Sequence, residues 1–320
     1  MTLPKFYDPS LVGTLYMPRK AAIRAAVNEN KHEFKGDTAG NQTSILIIDA
    51  QGDFCLPGGS LFVPGAVEDN TRLIEFLYRN IEQIKYLDFT LDTHRYVQVF
   101  FPLFWRDSQG NHPEPYTVIS YADVVAGRWI PALAAEIVRE YLRQLESTGK
   151  YKLTIWEYHT DEGSVGGALA PALTELAVYH SLLWETDPTF HRKGLREFSE
   201  CYSVFGEEVR AVTVAGKQVS LGQYNDKLLA SLLNRERIYV AGQAASHCVK
   251  ATLEDIIFYA QNNLSNPVEF LSKFYILEDC MSPVPAIPGV VDFPQIARAA
   301  LHSFAAAGMQ VVKSTEDTGC

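Results

Sequence analysis

The stretch Arg237-Ile238-Tyr239-Val240-Ala241-Gly242-Gln243-Ala244-Ala245-Ser246-His247-Cys248-Val249 decides how the chain is read. Its opening RIYVAG is apolar, with β-branched and aromatic members, and reads as a strand. The small residues of QAAS read as a tight turn, and HCVKATLEDIIFYAQNN opens a helix. A cysteine at such a junction meets free backbone N–H groups and the positive end of a helix dipole, which lower a thiol pKa. The same N–H groups can hold a developing oxyanion. A free cysteine is also a common core residue, so the junction alone leaves both a reactive thiolate and a buried structural thiol open.

Strand followed by helix recurs through the chain. Ser44-Ile45-Leu46-Ile47-Ile48-Asp49 is an apolar run ending in an acid, the mark of a strand buried on both faces of a parallel sheet. Further buried-strand candidates are Tyr86–Leu91, Leu153–Glu157, Leu182–Glu185, Phe274–Leu277 and Met309–Val312. Helical patterns at about 67–85, 131–145, 171–180, 223–234, 248–261 and 293–307 separate most of them. This alternation predicts an α/β fold, a parallel sheet covered by helices on both faces, with ligands beyond the C-terminal ends of the strands. Residues 1–42 read as a polar arm with one helix near 19–34. Residues 95–150, with the aromatic and proline-rich VFFPLFWRDSQGNHPEPYT, read as an insertion serving as a lid or an oligomer contact. The whole chain, 1–320, is expected to be one domain carrying these two additions.

At 47% hydrophobic and 21% charged residues the chain can build a full core, and nothing points to disorder. A formal charge of −10 with no basic patch argues against nucleic acid or an anionic membrane as partner. Five widely spaced cysteines without a CxxC suit a reducing compartment better than a disulfide framework. The start MTLPKFYDPS lacks the apolar stretch of a signal peptide, and no apolar run is long enough to span a bilayer. A cytoplasmic protein acting on a small molecule is the expectation.

The chemistry-bearing residues fall at strand ends. Asp49 would be a poorly solvated carboxylate, suited to take a proton from a neighbouring thiol or simply to cap the next loop. Asp92 and His94, in Asp92-Thr93-His94, share one side of an extended strand end. A carboxylate plus an imidazole suits Zn²⁺, Mn²⁺ or Fe²⁺, given a third ligand, and His159 is placed to supply it. Lys193 is either a surface lysine or a cation that steadies a thiolate. His112 and His191 read as solvated, and His180 and His302 as surface or interface positions. His247 reads as pointing away from the neighbouring cysteine, and Cys55, Cys201, Cys280 and Cys320 as structural or incidental thiols.

Together these segments resemble the isochorismatase-like cysteine hydrolases, and within them the nicotinamidases. IIDAQGDFCLPGG, LDTH, WEYHTDEGSVGGAL and AGQAASHCVKAT are similar, in the same order, to that family's motifs. The resemblance covers about 43–94 and 153–312. It implies a three-layer αβα fold with a central, mainly parallel six-stranded sheet. It also implies a catalytic triad of Asp49, Lys193 and Cys248, and an oxyanion hole from the N–H groups of Ala244 and Cys248 beside a cis peptide at Gln243–Ala244. Phe54 and Trp156 would contact a substrate ring. Asp92, His94 and His159 would hold a divalent metal, zinc ahead of manganese or iron, with His112 as a possible further ligand. The activity implied is hydrolysis of a small, nicotinamide-like carboxamide to acid and ammonia through a thioester, by a dimer or tetramer. His159 is followed by Thr160, and Ala245-Ser246 replaces the family's Thr-Asp, so the substrate can differ.

Two other readings compete. Isochorismatase-type vinyl-ether cleavage needs no cysteine, and a non-catalytic scaffold needs neither triad nor ligand set. A dinucleotide-dependent oxidoreductase lacks its glycine fingerprint after the first strand. A reactive Cys248 is expected to alkylate faster than a model thiol near neutral pH.

Overall fold

The computed structural model describes residues 3–36, 40–287, 289 and 291–318. Six strands form one sheet: β1 Thr43–Ile48, β2 Tyr86–Asp92, β3 Thr189–Lys193, β4 Arg237–Gly242, β5 Phe274–Leu277 and β6 Gln310–Val312. Their spatial order is β6-β5-β4-β1-β2-β3, and every pairing is parallel. β1 is central, with Ser44 registered against Tyr86 on one side and Ile238 on the other.

Alternation along β1 builds the three layers. Leu46 and Ile48 join one buried cluster, Ile45 and Ile47 the other, because successive side chains leave opposite faces of a strand. The helices divide accordingly. α1 (Lys20–Asn30), α2 (Ala66–Arg79) and α4 (Pro171–Trp184) cover the Ile45 face. α3 (Ala135–Thr148), α5 (Asp226–Leu233), α6 (Cys248–Asn263) and α7 (Phe293–Ala306) cover the Leu46 face. Among the described residues no helix is long and apolar enough to cross a membrane.

Two of the expected strands are not strands of this sheet. Leu182–Glu185 is the end of α4, whose apolar side chains pack inward up to Trp184 and which stops where Glu185 turns to φ +55°. The sixth strand is instead Thr189–Lys193, an edge strand paired only with β2; half-exposed as it is, it carries little apolar signal. Leu153–Glu157 is extended, but its backbone bonds to Tyr116, Thr117 and Ile119 of the supposed insertion rather than to the sheet. The insertion's aromatic run is no lid. Val99, Phe100, Phe101, Phe104 and Trp105 are fully buried in the Leu46-side core with Tyr141 and Leu142 of α3. The aromatic density noted in the sequence is core packing.

Candidate active site

The C-terminal ends of the four adjoining strands β4, β1, β2 and β3 converge on one point. Asp49 is the first residue beyond β1, Asp92 and Lys193 are the last residues of β2 and β3, and Cys248 opens α6 after the turn that leaves β4. Gly242 at the end of β4 has φ +117°, and a side chain there would run into the Ile48 carbonyl. The backbone then passes through a cis peptide at Gln243–Ala244 and delivers Cys248 to the pocket. The N–H groups of Ala244 and Cys248 have no protein acceptor among the described residues.

Lys193 is the hub. Its buried ammonium lies 3.0 Å from Asp49 Oδ2 and 3.0 Å from Asp92 Oδ1. It donates to the Cys201 carbonyl at 3.0 Å and to Cys248 Sγ at 3.6 Å. Burial opposes its charge, but the two carboxylates outweigh burial and hold its pKa well above the ordinary lysine value. Asp49 is fully buried with φ +45°, a left-handed conformation that costs a non-glycine residue free energy and is common at functional positions. Burial raises the Asp49 pKa, and Lys193 offsets this only in part. Asp92 meets the same burial, yet His94 and Lys193 together hold it below the usual range. The two carboxylates, each 3.0 Å from one lysine, thus shift in opposite directions because only Asp92 has a second cationic neighbour.

Cys248 is 7% exposed, and burial pushes its thiol well above the ordinary cysteine value. The expectation of a depressed thiol pKa is overturned. Lys193 does favour the thiolate, but its charge is already more than balanced by Asp49 and Asp92, so a thiolate would face a net negative neighbourhood. The resting group is a neutral thiol, with Asp49 among the neighbours that raise its pKa. Fast alkylation near neutral pH is therefore not expected of it.

Sequence reading missed Thr90. Its hydroxyl donates to Asp49 Oδ1 at 2.5 Å, from the neighbouring strand. This bond favours the ionised carboxylate. Thr90→Val should therefore raise the Asp49 pKa and move the acid limb of kcat/KM to higher pH, read from a pH–rate profile; an unmoved limb would show that Asp49 does not set it.

Asp92, His94 and His159 form a buried cluster whose ligand atoms all lie within 4.8 Å of one another. His94 Nδ1 pairs with the Gly194 carbonyl at 3.0 Å, and His159 Nδ1 with the Glu157 carbonyl at 2.7 Å. Each Nδ1 is thereby the N–H donor, and each Nε2 faces Asp92 Oδ2, at 2.9 and 3.9 Å. Against the pull of burial Asp92 raises the His94 pKa, so His94 Nε2 carries a proton towards Asp92 that a bound ion would replace. This is how outer hydrogen bonds orient histidine ligands. Burial and the neighbouring His94 lower the His159 pKa to about 4, so its imidazole is neutral, as a ligand must be. Gly194, at φ +79°, allows the fit: a Cβ there would come within 2.6 Å of both Asp92 and His94. Gln51, also unremarked in the sequence, ties the site's floor by accepting from Asp92 N at 2.7 Å and donating to Asp92 O at 2.7 Å. His112 bonds the carbonyls of Pro102 and Trp105 and is not part of the cluster.

Phe54 and Trp156 line a pocket in front of Cys248, with Ala244, Asp92 and His159. The Phe54 ring meets the His159 ring edge-on at 5.5 Å. Trp156 Nε1 donates to the buried Glu200 at 3.0 Å and to the Tyr202 hydroxyl at 3.2 Å. Glu200 and Tyr202 also line the pocket and carry no motif that could have marked them. His247 corrects another expectation: it faces the pocket, 5.7 Å from the Trp156 ring and 4.6 Å from Phe293. His180 and His191 are not surface groups either; His180 is buried on the Ile84 carbonyl at 2.8 Å, and His191 pairs with Asp88 at 3.0 Å. Cys55, Cys201 and Cys280 are buried free thiols, and Cys320 lies outside the described residues.

No protein-family model matches the chain, and no curated protein matches it in sequence. Solved structures do match. A yeast nicotinamidase is 19% identical over 84% of this chain and 99% of its own, with a TM-score of 0.53. A nicotinamidase/pyrazinamidase of Acinetobacter baumanii is 17% identical over 87% of this chain and 99% of its own, also at 0.53. Strand order, layer arrangement and these matches together give the chain the α/β fold of the nicotinamidases and isochorismatase-like hydrolases.

Proposed function

We propose that the protein is a cysteine amidohydrolase that converts a carboxamide to its acid and ammonia through a thioester. The observation that carries this reading is Lys193, held at 3.0 Å by two carboxylates with the Cys248 thiol at 3.6 Å, so that Asp49 and the thiol meet on one ammonium. A structural lysine needs one such partner; this one joins a base to a nucleophile.

In this mechanism Asp49 takes the thiol proton as Cys248 Sγ attacks the amide carbon, so the anion never rests on sulfur in a negative neighbourhood. The charge moves to the carbonyl oxygen, where the N–H groups of Ala244 and Cys248 donate to it. Lys193 keeps Asp49 in place and remains charged throughout. Asp49 returns the proton to the departing nitrogen, ammonia leaves, and a thioester remains. Asp49, ionised again, takes a proton from the water that adds to the thioester carbonyl and returns it to Cys248 Sγ as the C–S bond breaks and the acid leaves. Phe54 and Trp156 flank the substrate. Asp92, His94 and His159 would hold the divalent ion, zinc by donor set with manganese and iron as alternatives. Such an ion supplies Lewis acidity to a ring nitrogen or a water. His159→Ala should lower the bound metal per chain by at least ten-fold, measured by elemental analysis after dialysis; full retention would remove this residue from the ligand set.

The experiment for the reaction is ammonia release from nicotinamide, pyrazinamide and small aliphatic and aromatic amides. Turnover of any of them, with the acid as co-product, supports the reading. Silence across the panel from a metal-loaded, folded protein counts against it.

A further inference from the structure

A second cavity of about 450 Å³ adjoins the reaction pocket and shares Trp156, Tyr202 and His247 with it. The reaction pocket has only about 40 Å³ of room, on the scale of a few waters. That suits a reacting head group and is too little for the body of a substrate. The chamber is lined by the aromatic rings of Tyr116, Tyr151 and Phe293 and by three lysines, Lys150, Lys152 and Lys250, with no carboxylate among its described lining residues.

Two carboxylates stand behind those lysines. Glu254 lies 2.8 Å from Lys250 and 3.6 Å from Lys150, and Glu208 lies 3.6 Å from Lys150. Burial pushes the Glu208 pKa up to about 7, so near neutrality it carries only part of a charge. Lys152 has no ion-pair partner among the described residues. Three ammonium groups therefore share Glu254, the partly ionised Glu208 and, further off, Asp255, none of which lines the chamber. The ammonium groups of Lys150 and Lys250 lie 5.2 and 5.3 Å from the Tyr151 ring centre. Three lysines on the lining of one chamber, with no carboxylate among the described residues beside them there, are the chemistry of an anion site. His247, whose pKa burial lowers to about 4, adds no charge to the passage between the two cavities.

We propose that this chamber is the subsite for the anionic end, carboxylate or phosphate-like, of an elongated aromatic amide whose carboxamide reaches Cys248 past Trp156, Tyr202 and His247. This rests on the amidohydrolase reading for its reacting end, while the anion site stands on the chamber itself.

The test compares kcat/KM of the full chain for 4-carbamoylphenylacetate, 3-(4-carbamoylphenyl)propanoate and the corresponding propylphosphonate with that for their methyl esters. The charged forms should be preferred at least ten-fold at low salt, the preferred head group naming the anion. That ratio should fall several-fold in Lys152→Gln and vanish in Lys152→Glu. Equal rates for acid and ester, or a preference that survives Lys152→Glu, would overturn the subsite. If no amide is turned over at all, the amidohydrolase reading fails, and the chamber is judged by calorimetric binding of 3-phenylpropanoate. Binding lost in Lys152→Glu retains the anion site, and absent or Lys152-independent binding removes it.

Discussion

Cys248→Ala should reduce ammonia release from any amide the wild-type protein accepts by roughly 10⁴-fold or more, as loss of a covalent nucleophile does elsewhere. The fold should survive. Alanine removes one buried sulfur, and the backbone of the Gln243–Cys248 turn is held without it: Gln243 N bonds the Ile48 carbonyl at 2.8 Å and Ala245 N the Ser282 carbonyl at 2.9 Å. The Lys193 ammonium loses its 3.6 Å contact but keeps both carboxylates and the Cys201 carbonyl. A melting temperature within a few degrees of wild type, together with undetectable turnover, is the expected pair of results. Cys248→Ser is the sharper variant, because it preserves shape and replaces the sulfur by a poorer nucleophile. Turnover retained by Cys248→Ala would remove the thioester from the scheme and leave hydrolysis by water at the Asp92–His94–His159 cluster as the surviving route.

The chemistry of this site was more legible in the sequence than its strands were. Asp49, Asp92 and Cys248 could be placed because each follows or ends a strand inside the sheet, buried on both faces: β1 and β4 carry unbroken apolar runs, and β2, though interrupted by Asp88 and Thr90, keeps Leu87, Phe89 and Leu91. β3 is an edge strand, with Phe190 and Thr189 exposed, so its sequence TFHRK carries no such run; its residues left Lys193 open as a surface lysine or a cation beside a thiolate, and the resemblance alone put it in a triad. The segment Leu182–Glu185 drew the strand assignment instead, since an apolar helix end and a buried strand look alike over four residues. Thr90, Gln51 and Glu200 escaped notice for a different reason. They act by pairing with groups distant in sequence, 41 residues away for Thr90–Asp49 and 44 for Trp156–Glu200, and no local spacing records that. The depressed thiol pKa was misjudged on the same ground. A helix N-terminus and a lysine are visible locally, but the second carboxylate that cancels the lysine is brought in only by the β2–β3 pairing.

Lys193→Met should damage the protein in two separable ways. Stability should fall by about 3–5 kcal/mol, the usual cost of removing one partner from a buried ion pair, because Asp49 and Asp92 would then face each other with no cation between them. Methionine fills similar volume, so a cavity contributes little to the loss. The sign of the pH dependence separates charge from packing. Lys193 lowers the Asp49 pKa, so its removal raises that pKa further above the unfolded value. A carboxyl whose folded pKa is raised contributes stability that is fully present below the unfolded pKa and is lost as pH rises through the folded one. The deficit of the variant, read from urea unfolding against wild type, should therefore be small near pH 4 and grow toward pH 8. A deficit independent of pH would mean that Lys193 matters by packing alone. Turnover should fall as well, since a protonated Asp49 cannot accept the thiol proton, and raising the pH should restore part of it until the unpaired carboxylates unfold the chain. A variant of undiminished activity would detach Lys193 from the nucleophile and, with it, the observation on which the amidohydrolase reading stands.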